Sequence, residues 1–271
     1  MELKPRPLRI RRSSSRVALH VFSALVFLFL MLPLFIVFPI SFSSASYLQF
    51  PPPGYSLRWY ESYVNDPVWL DATVRSLKIA ACTTLLATVL GTLLAFSLVR
   101  GRYPGREWVN QVSAMPLIVP TIIYSVAVYG LFSSLRLIGD WRGIVLGHTV
   151  HAIPYVVVIM TAALRTFDIA LENAAMGLGA SRLRAIWRVT LPQMRPALIS
   201  AVFLAFISSF DELVIAMFLG GSNMTLPKKM FDNILNAIDP TIAAVSVLQI
   251  VIVSIALLVS ARFGTGARPA L

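Results

Sequence analysis

Long apolar runs separated by short polar intervals set the pattern of this chain, and the runs fall at about 17–42, 70–99, 108–135, 143–164, 197–219 and 241–261. Each approaches the roughly 20 residues that a helix needs to cross about 30 Å of hydrocarbon. The fifth does so only if Asp211 and Glu212 are admitted into it. Six transmembrane helices are therefore predicted, an all-α polytopic fold over residues 17–263. Pro116 and Pro120 fall inside the third run and predict a kink, which either shapes a pathway or serves packing. Between the first two runs, Pro51-Pro52-Pro53-Gly54 blocks regular structure. Around it, Tyr47, Tyr55, Trp59, Tyr60, Tyr63 and Trp69 make an interfacial aromatic belt with room for a short helix. A second short helix is expected in the loop before the last run, near Lys229–Ala237.

The polar interval at 165–196 stands apart. It carries Arg165, Arg182, Arg184, Arg188 and Arg195 against Asp168 and Glu172, so it cannot lie within lipid. Ile169, Leu171, Ala174, Ala175 and Leu178, set among polar residues, predict a short amphipathic helix. Gly177 and Gly179 predict a turn, and Ser181 predicts the cap of a second helix ending at Leu191-Pro192. Such a unit at a membrane surface is explained by docking to a second protein. A helix lying on lipid headgroups is the other reading, and it leaves the glycine spacing without a purpose.

Composition strengthens this picture. The 271 residues are 57% hydrophobic and 13% charged, against about 25% charged in soluble domains. The one cysteine, Cys82, excludes an internal disulfide framework or cysteine metal site. A net charge of +11 points to nucleic acid in a soluble protein. Here no stacking platform or basic groove accompanies it, and the basic residues cluster at the ends of apolar runs. The first sixteen residues start like a signal peptide, but the following run exceeds an h-region of about 7–15 residues. Residues 1–16 are read as a basic cytoplasmic tail and 264–271 as a second tail. Placing both ends, the 100–106 turn and the 165–196 loop in the cytoplasm puts sixteen of the 23 lysines and arginines inside and five in the outer loops. The predicted orientation is N-in, C-in.

No GxxxxGK[ST], GxSxG, HExxH or CxxC motif occurs. The chain is predicted to be non-catalytic and to bind no cofactor or metal. If ATP drives it, ATP and Mg belong to a partner.

In the central loop Ala174, Ala175, Gly179, Val189 and Leu191-Pro192 match the spacing of the cytoplasmic EAA loop of ABC-importer permeases. The family's Glu falls on Asn173, with Glu172 one place earlier. The chain resembles that family from the second run to the sixth. Ser208–Gly221, Thr225–Ile234, Asp239-Pro240, Gly147-His148-Thr149 and Ile153-Pro154-Tyr155 resemble its spermidine/putrescine branch. The resemblance implies that the loop, with Glu172, Asn173, Ala174, Ala175, Gly179, Ala180, Ser181, Leu191 and Pro192, is a coupling helix seated in a groove of an ATP-binding cassette ATPase. It also implies a second permease subunit, an external solute-binding protein, an inner-membrane location and import of a small organic cation such as a polyamine.

Asp211 and Glu212 inside the fifth run are costly in lipid and mark function by default. Arg75 and Lys78 lie in the outer part of the second run, Lys78 at a depth similar to Asp211. Two readings stay open: carboxylates that face a translocation pathway as a cation site or gate, or a fixed interhelical pair of Asp211 with Lys78 or Arg75. Tyr124 and Tyr129 either line a cavity that stacks a cation or pack. His148 and His151, three residues apart, are read as polar packing, since no third metal ligand accompanies them. The rival function is a stand-alone ion-coupled transporter using Asp211 and Glu212; it predicts an inverted repeat that the sequence does not display.

Overall fold

In the computed structural model, which describes residues 12–236 and 239–264, every regular element is a helix. Much of the predicted N-terminal tail and the tail from 265 onward lie outside the described residues. Helix α1 (Arg12–Ser41) is apolar all round and exposes its long side chains along most of its length, as a helix solvated by lipid does. Helix α2 (Arg58–Asn65) is the short interfacial helix expected after the proline run; it buries Trp59 and Tyr63. Helix α3 (Pro67–Arg100) starts with Pro67, which has no N–H to satisfy, at its first position and with the Asp66 carboxylate accepting from the otherwise free Val68 N–H at 2.8 Å.

The third run is not one helix. Helix α4 (Arg106–Ile118) and helix α5 (Thr121–Ser134) meet at 109°. Pro120 has no N–H to continue α4, and Val119 before it is extended (φ −72°, ψ 128°), the conformation a following proline imposes. Helix α6 (Trp141–Thr166) is capped by Asp140, which accepts from the Arg142 N–H at 2.8 Å.

The central loop folds as helix α7 (Ile169–Gly177), a turn, helix α8 (Arg182–Ala185), a π turn (Ile186–Thr190) and the short helix α9 (Leu191–Gln193). The chain then bends by 77° into helix α10 (Arg195–Phe210). The predicted end of the second loop helix at Leu191-Pro192 therefore moves to Gln193. The widened π turn just upstream accommodates the clash and missing donor of Pro192. The fifth run is also interrupted: α10 stops at Phe210, and helix α11 (Val214–Leu219) begins after a break at 211–213. Helix α12 (Leu226–Asn236) is the expected short helix of the last loop, and helix α13 (Thr241–Gly264) follows. Among the described residues four helices are long and apolar enough to cross a membrane, and two bent pairs bring the number to as many as six.

Helices α3, α6 and α10 form the centre. Ala87, Ala95, Ala152, Ala201 and Ala205 are fully buried there, with Val156 and Met160 filling between them. A Cβ on Gly91 would stand 2.7 Å from the Val156 Cβ. Small residues let helix backbones approach where lipid supplies no hydrophobic drive between helices. The last turn of α6 and the first of α10, which the central loop joins, thus belong to one tightly packed unit.

Candidate functional site

Helix α7 starts at Asp168, whose carboxylate accepts from the Ala170 N–H at 2.9 Å, and it stops before a left-handed Gly179 (φ +89°). The Gly179 N–H donates to the Met176 carbonyl at 2.9 Å. A Cβ there would meet no atom within 4 Å, so the demand for glycine comes from the backbone alone. Ser181 caps α8 by accepting from the Arg184 N–H at 3.4 Å. Gly177, read from sequence as part of the turn, closes α7 instead.

The acids of the loop have different surroundings. Glu172 is 2% exposed. Its Oε2 accepts from the Arg100 guanidinium at the end of α3 and from Thr190 Oγ1, 2.7 Å away in the π turn. Burial pushes the Glu172 carboxyl up, but the hydrogen bonds from Arg100 and Thr190 and the charges of Arg100 and Arg182 outweigh burial and hold it below the ordinary carboxylate range. Asn173 and Ala174, the next two positions, are exposed, and Ala175 is half-buried. The acid one place before the family's position is thus turned inward as an anchor, and Asn173 faces out. Leu178 is 91% exposed, and Ala175, Gly179, Ala180 and Val189 line a shallow groove between α7 and the following turn with Arg184 and Arg188. Leu191 is half-buried and Pro192 exposed at the bend into α10. Neither Arg100 nor Thr190 is singled out by sequence. The pairing joins residues 72 positions apart, and no local pattern encodes it.

Asp211 and Glu212 occupy the break between α10 and α11. The Glu212 carboxylate accepts from the Ile215 N–H at 3.0 Å and so caps α11; its other oxygen lies 4.0 Å from His151 Nε2. Asp211 is exposed and accepts from Gln249 Nε2 of α13 at 3.1 Å. Neither cation proposed as its partner is there. Lys78 Nζ sits 3.8 Å over the Trp141 ring, and Arg75 donates to the Met224 carbonyl at 3.4 Å. Lys78 is satisfied by an aromatic face and Arg75 by the outer loop, so the interhelical pair with Asp211 does not form.

The histidines of α6 have polar partners, as expected. His148 is buried with its Nδ1 2.9 Å from Ser209 Oγ, and the His151 ring lies between Tyr124 and Tyr155, its centroid 6.0 and 6.2 Å from theirs. The Tyr124 hydroxyl donates to the Gly147 carbonyl at 2.8 Å. Glu212, His151, Tyr124 and Tyr155 thus form one half-buried cluster where α5, α6 and the α10–α11 break meet. His151 and Tyr155 are the members that sequence reasoning did not assign to it. Among the described residues no three His, Cys, Asp or Glu side chains converge as a metal site requires.

The chain has counterparts among known proteins. Residues 87–266 match the family model for the "Binding-protein-dependent transport system inner membrane component". The chain belongs to this family. It is an inner-membrane permease, and the family's chains are non-catalytic transport subunits. The permease is 36% identical over 230 residues to the putrescine transport system permease protein PotI of Escherichia coli strain K12, with 82% of each chain covered. It is 31% identical over 249 residues to the spermidine/putrescine transport system permease protein PotC of Haemophilus influenzae, covering 91% of this chain and 95% of that one. Among solved structures, a bacterial ABC transporter that imports the polysaccharide alginate superposes with a TM-score of 0.72 at 20% identity, over 96% of this permease and all of that chain. The MetNI methionine transporter superposes with a TM-score of 0.61 at 19% identity, over 73% and 96%. These two likenesses establish the fold.

Proposed function

We propose that this permease carries a polyamine or related small organic cation across the inner membrane by alternating access, driven by ATP hydrolysis on a separate chain. The observation that carries this reading is the central loop. Helix α7 exposes Asn173, Ala174 and Leu178 for docking, while Glu172 ties its inner face to Arg100 of α3 and to Thr190 of the π turn. A push on α7 is then delivered to α3, α6 and α10 together, because these helices pack as one unit. Rigid-body motion of packed helices is an established way to convert a local displacement into a change of access. The small Ala174 and Ala175 permit close approach of a partner groove, and Gly179 lets the chain turn away from it.

The chain would cross the membrane six times with both ends in the cytoplasm, each bent helix pair reading as one crossing. It would work with a second permease subunit, two ATP-binding cassette subunits holding ATP and Mg, and an external solute-binding protein. The polyamine assignment is supported by the PotI and PotC relatives. The half-buried cluster of Glu212 with Tyr124, Tyr155 and His151 supports it too, since a carboxylate beside aromatic faces suits an organic ammonium.

The test is purification of the chain from its native membrane. An ATPase is expected to co-purify, and Gly179→Asp, which adds a charge and strains the turn at the docking face, is expected to abolish the association. A chain that transports in liposomes without any ATPase would instead support the stand-alone, ion-coupled reading of Asp211 and Glu212. Uptake of labelled putrescine and spermidine by cells carrying the whole importer tests the substrate.

A further inference from the structure

At the loop end of α3 a cavity of about 1340 Å³ opens between α3, the end of α6, the α8–π turn segment and the start of α10. Its mouth carries Arg102, Arg106, Arg165 and Arg182, with Arg100 behind them, and no acidic residue lines it. Arg100 is committed to Glu172. The other four are exposed. Among the described residues only Arg106 of these four makes a side-chain hydrogen bond, a long one of 3.4 Å to the Gly101 carbonyl. Away from the mouth the lining turns apolar: Val89, Leu93 and Phe96 from α3 face Leu198, and Trp187 stands at the edge. From Thr88 to Arg100 the wall runs roughly 18 Å along the helix at 1.5 Å per residue, which exceeds half of a hydrocarbon core about 30 Å thick. A second, almost wholly apolar cleft between α3, α10 and α13 shares Thr88 and Val89 with this cavity, so the apolar surface continues beyond it.

We infer that this cavity is a binding site for an anionic phospholipid of the inner leaflet. The phosphate sits among the four guanidiniums, Trp187 lies at headgroup level, and an acyl chain runs along α3 towards the second cleft. The inference rests on the proposed orientation, which places the 100–106 turn and the central loop in the cytoplasm. Arginine forks match phosphate oxygens, and basic pockets between helices on the cytoplasmic side select anionic headgroups. A soluble partner could meet the arginines, but it would not reach an apolar wall at hydrocarbon depth. A path for an organic cation would not be walled by arginines alone. Because the mouth is shared by α3, α6 and the π turn, the bound lipid would brace the same elements that Glu172 joins.

The test uses the full transporter, reconstituted in phosphatidylcholine vesicles with and without phosphatidylglycerol. Native mass spectrometry after mild extraction is expected to find phosphatidylglycerol retained in preference to phosphatidylcholine. Trp187, measured as the difference from Trp187→Phe, is expected to be quenched by acyl-brominated phosphatidylglycerol more than by the brominated phosphatidylcholine analogue. Replacing Arg102, Arg165 and Arg182 together with Gln is expected to lower the preference on the order of a hundredfold, at about one headgroup charge contact each. Arg188→Gln, outside the cavity, is expected to leave it unchanged. The triple Lys replacement, which keeps the charges and guards against misfolding, is expected to retain part of it. Equal retention of the two lipids by the native complex overturns the site. So does displacement of the lipid by glycerol phosphate at matching concentration, or crosslinking that finds the ATPase or second permease filling the cavity. Phosphatidylglycerol selectivity in a chain with which no ATPase co-purifies leaves the site standing and removes the proposed function instead.

Discussion

Glu172 shows how one displaced acid can serve a loop that docks elsewhere. A buried carboxylate is tolerable because a guanidinium and a hydroxyl both donate to it. Removing it strands Arg100, whose side chain is 10% exposed, and breaking a buried pair in this way costs about 3–5 kcal/mol. Glu172→Ala is therefore expected to release α7 from α3, seen as faster hydrogen exchange across α7, and to cut ATP-driven uptake. Glu172→Gln keeps an acceptor for Thr190 and is expected to fall between the two. Unchanged exchange in Glu172→Ala would remove the anchoring role. The pH dependence has a definite sign. The folded carboxyl titrates below its unfolded value of about 4.3, so its contribution is fully present above that value and lost as pH falls through the folded one. Protection of α7, corrected for intrinsic exchange, is expected to be flat from neutral pH down to about 5 and to fall only in stronger acid. A second prediction concerns Asp211 and Lys78, which share no partner: Gln249 serves one and Trp141 the other. Asp211→Asn and Lys78→Met are expected to have additive effects on transport. Rescue of either by the other would restore the interhelical pair that the structure does not form.

Helices of this length are legible from sequence because lipid demands long apolar runs, whereas the polar caps Asp66 and Asp140, which start α3 and α6 ahead of the apolar runs at 70 and 143, and Asp168, which starts α7, are not part of that pattern. The breaks were legible only in part. Pro120 predicts an interruption, whereas its 109° angle depends on what α4 and α5 pack against. The break at 211–213 was read through as one continuous span, since its cause is a carboxylate that finds an N–H of its own chain and a histidine from α6. Likewise the central loop was recognisable from its spacing, and its inner partner was not. Packing of elements gives a separate test. Gly91 lies where α3 and α6 touch, and any Cβ there collides with the Val156 side chain and crowds the Ile153 carbonyl at 3.3 Å. Gly91→Val is expected to destabilise the protein by about 1–3 kcal/mol, as overpacking of a tight core does. Gly130→Ala in α5, where a Cβ meets open space, is expected to be neutral or stabilising. Thermal unfolding in one detergent compares the two, and equal midpoints would show that α3 and α6 do not close on each other as described.

At the scale of the whole molecule, the orientation we propose rests on charge, and the placement of the basic and aromatic groups supports it. The arginines at 100–106 come together with Arg165 and Arg182 of the central loop at one end of the α3–α6–α10 unit, around a single cavity mouth. The aromatic belt of α2, the cation–π contact of Lys229 with Trp69 and the seat of α12, where the Leu226 N–H donates to Ser76 Oγ at 2.7 Å, gather at the opposite end of α3. A bilayer with its cytoplasmic face at the arginine end satisfies both groups: basic residues stay inside and amphipathic aromatic rings lie at the far interface. The reverse orientation would carry the whole arginine cluster outside and leave the outer belt to face the cytoplasm. Because the chain has one cysteine, Cys82, a Cys82→Ser background permits single reporters at exposed positions. In intact cells stripped of their outer envelope, an impermeant maleimide is expected to label Tyr47→Cys and Ser222→Cys directly. Pro104→Cys and Gln193→Cys are expected to react only after the membrane is opened. Labelling of Pro104→Cys in sealed cells would invert the orientation, and with it the placement of the docking loop and of the anionic lipid site.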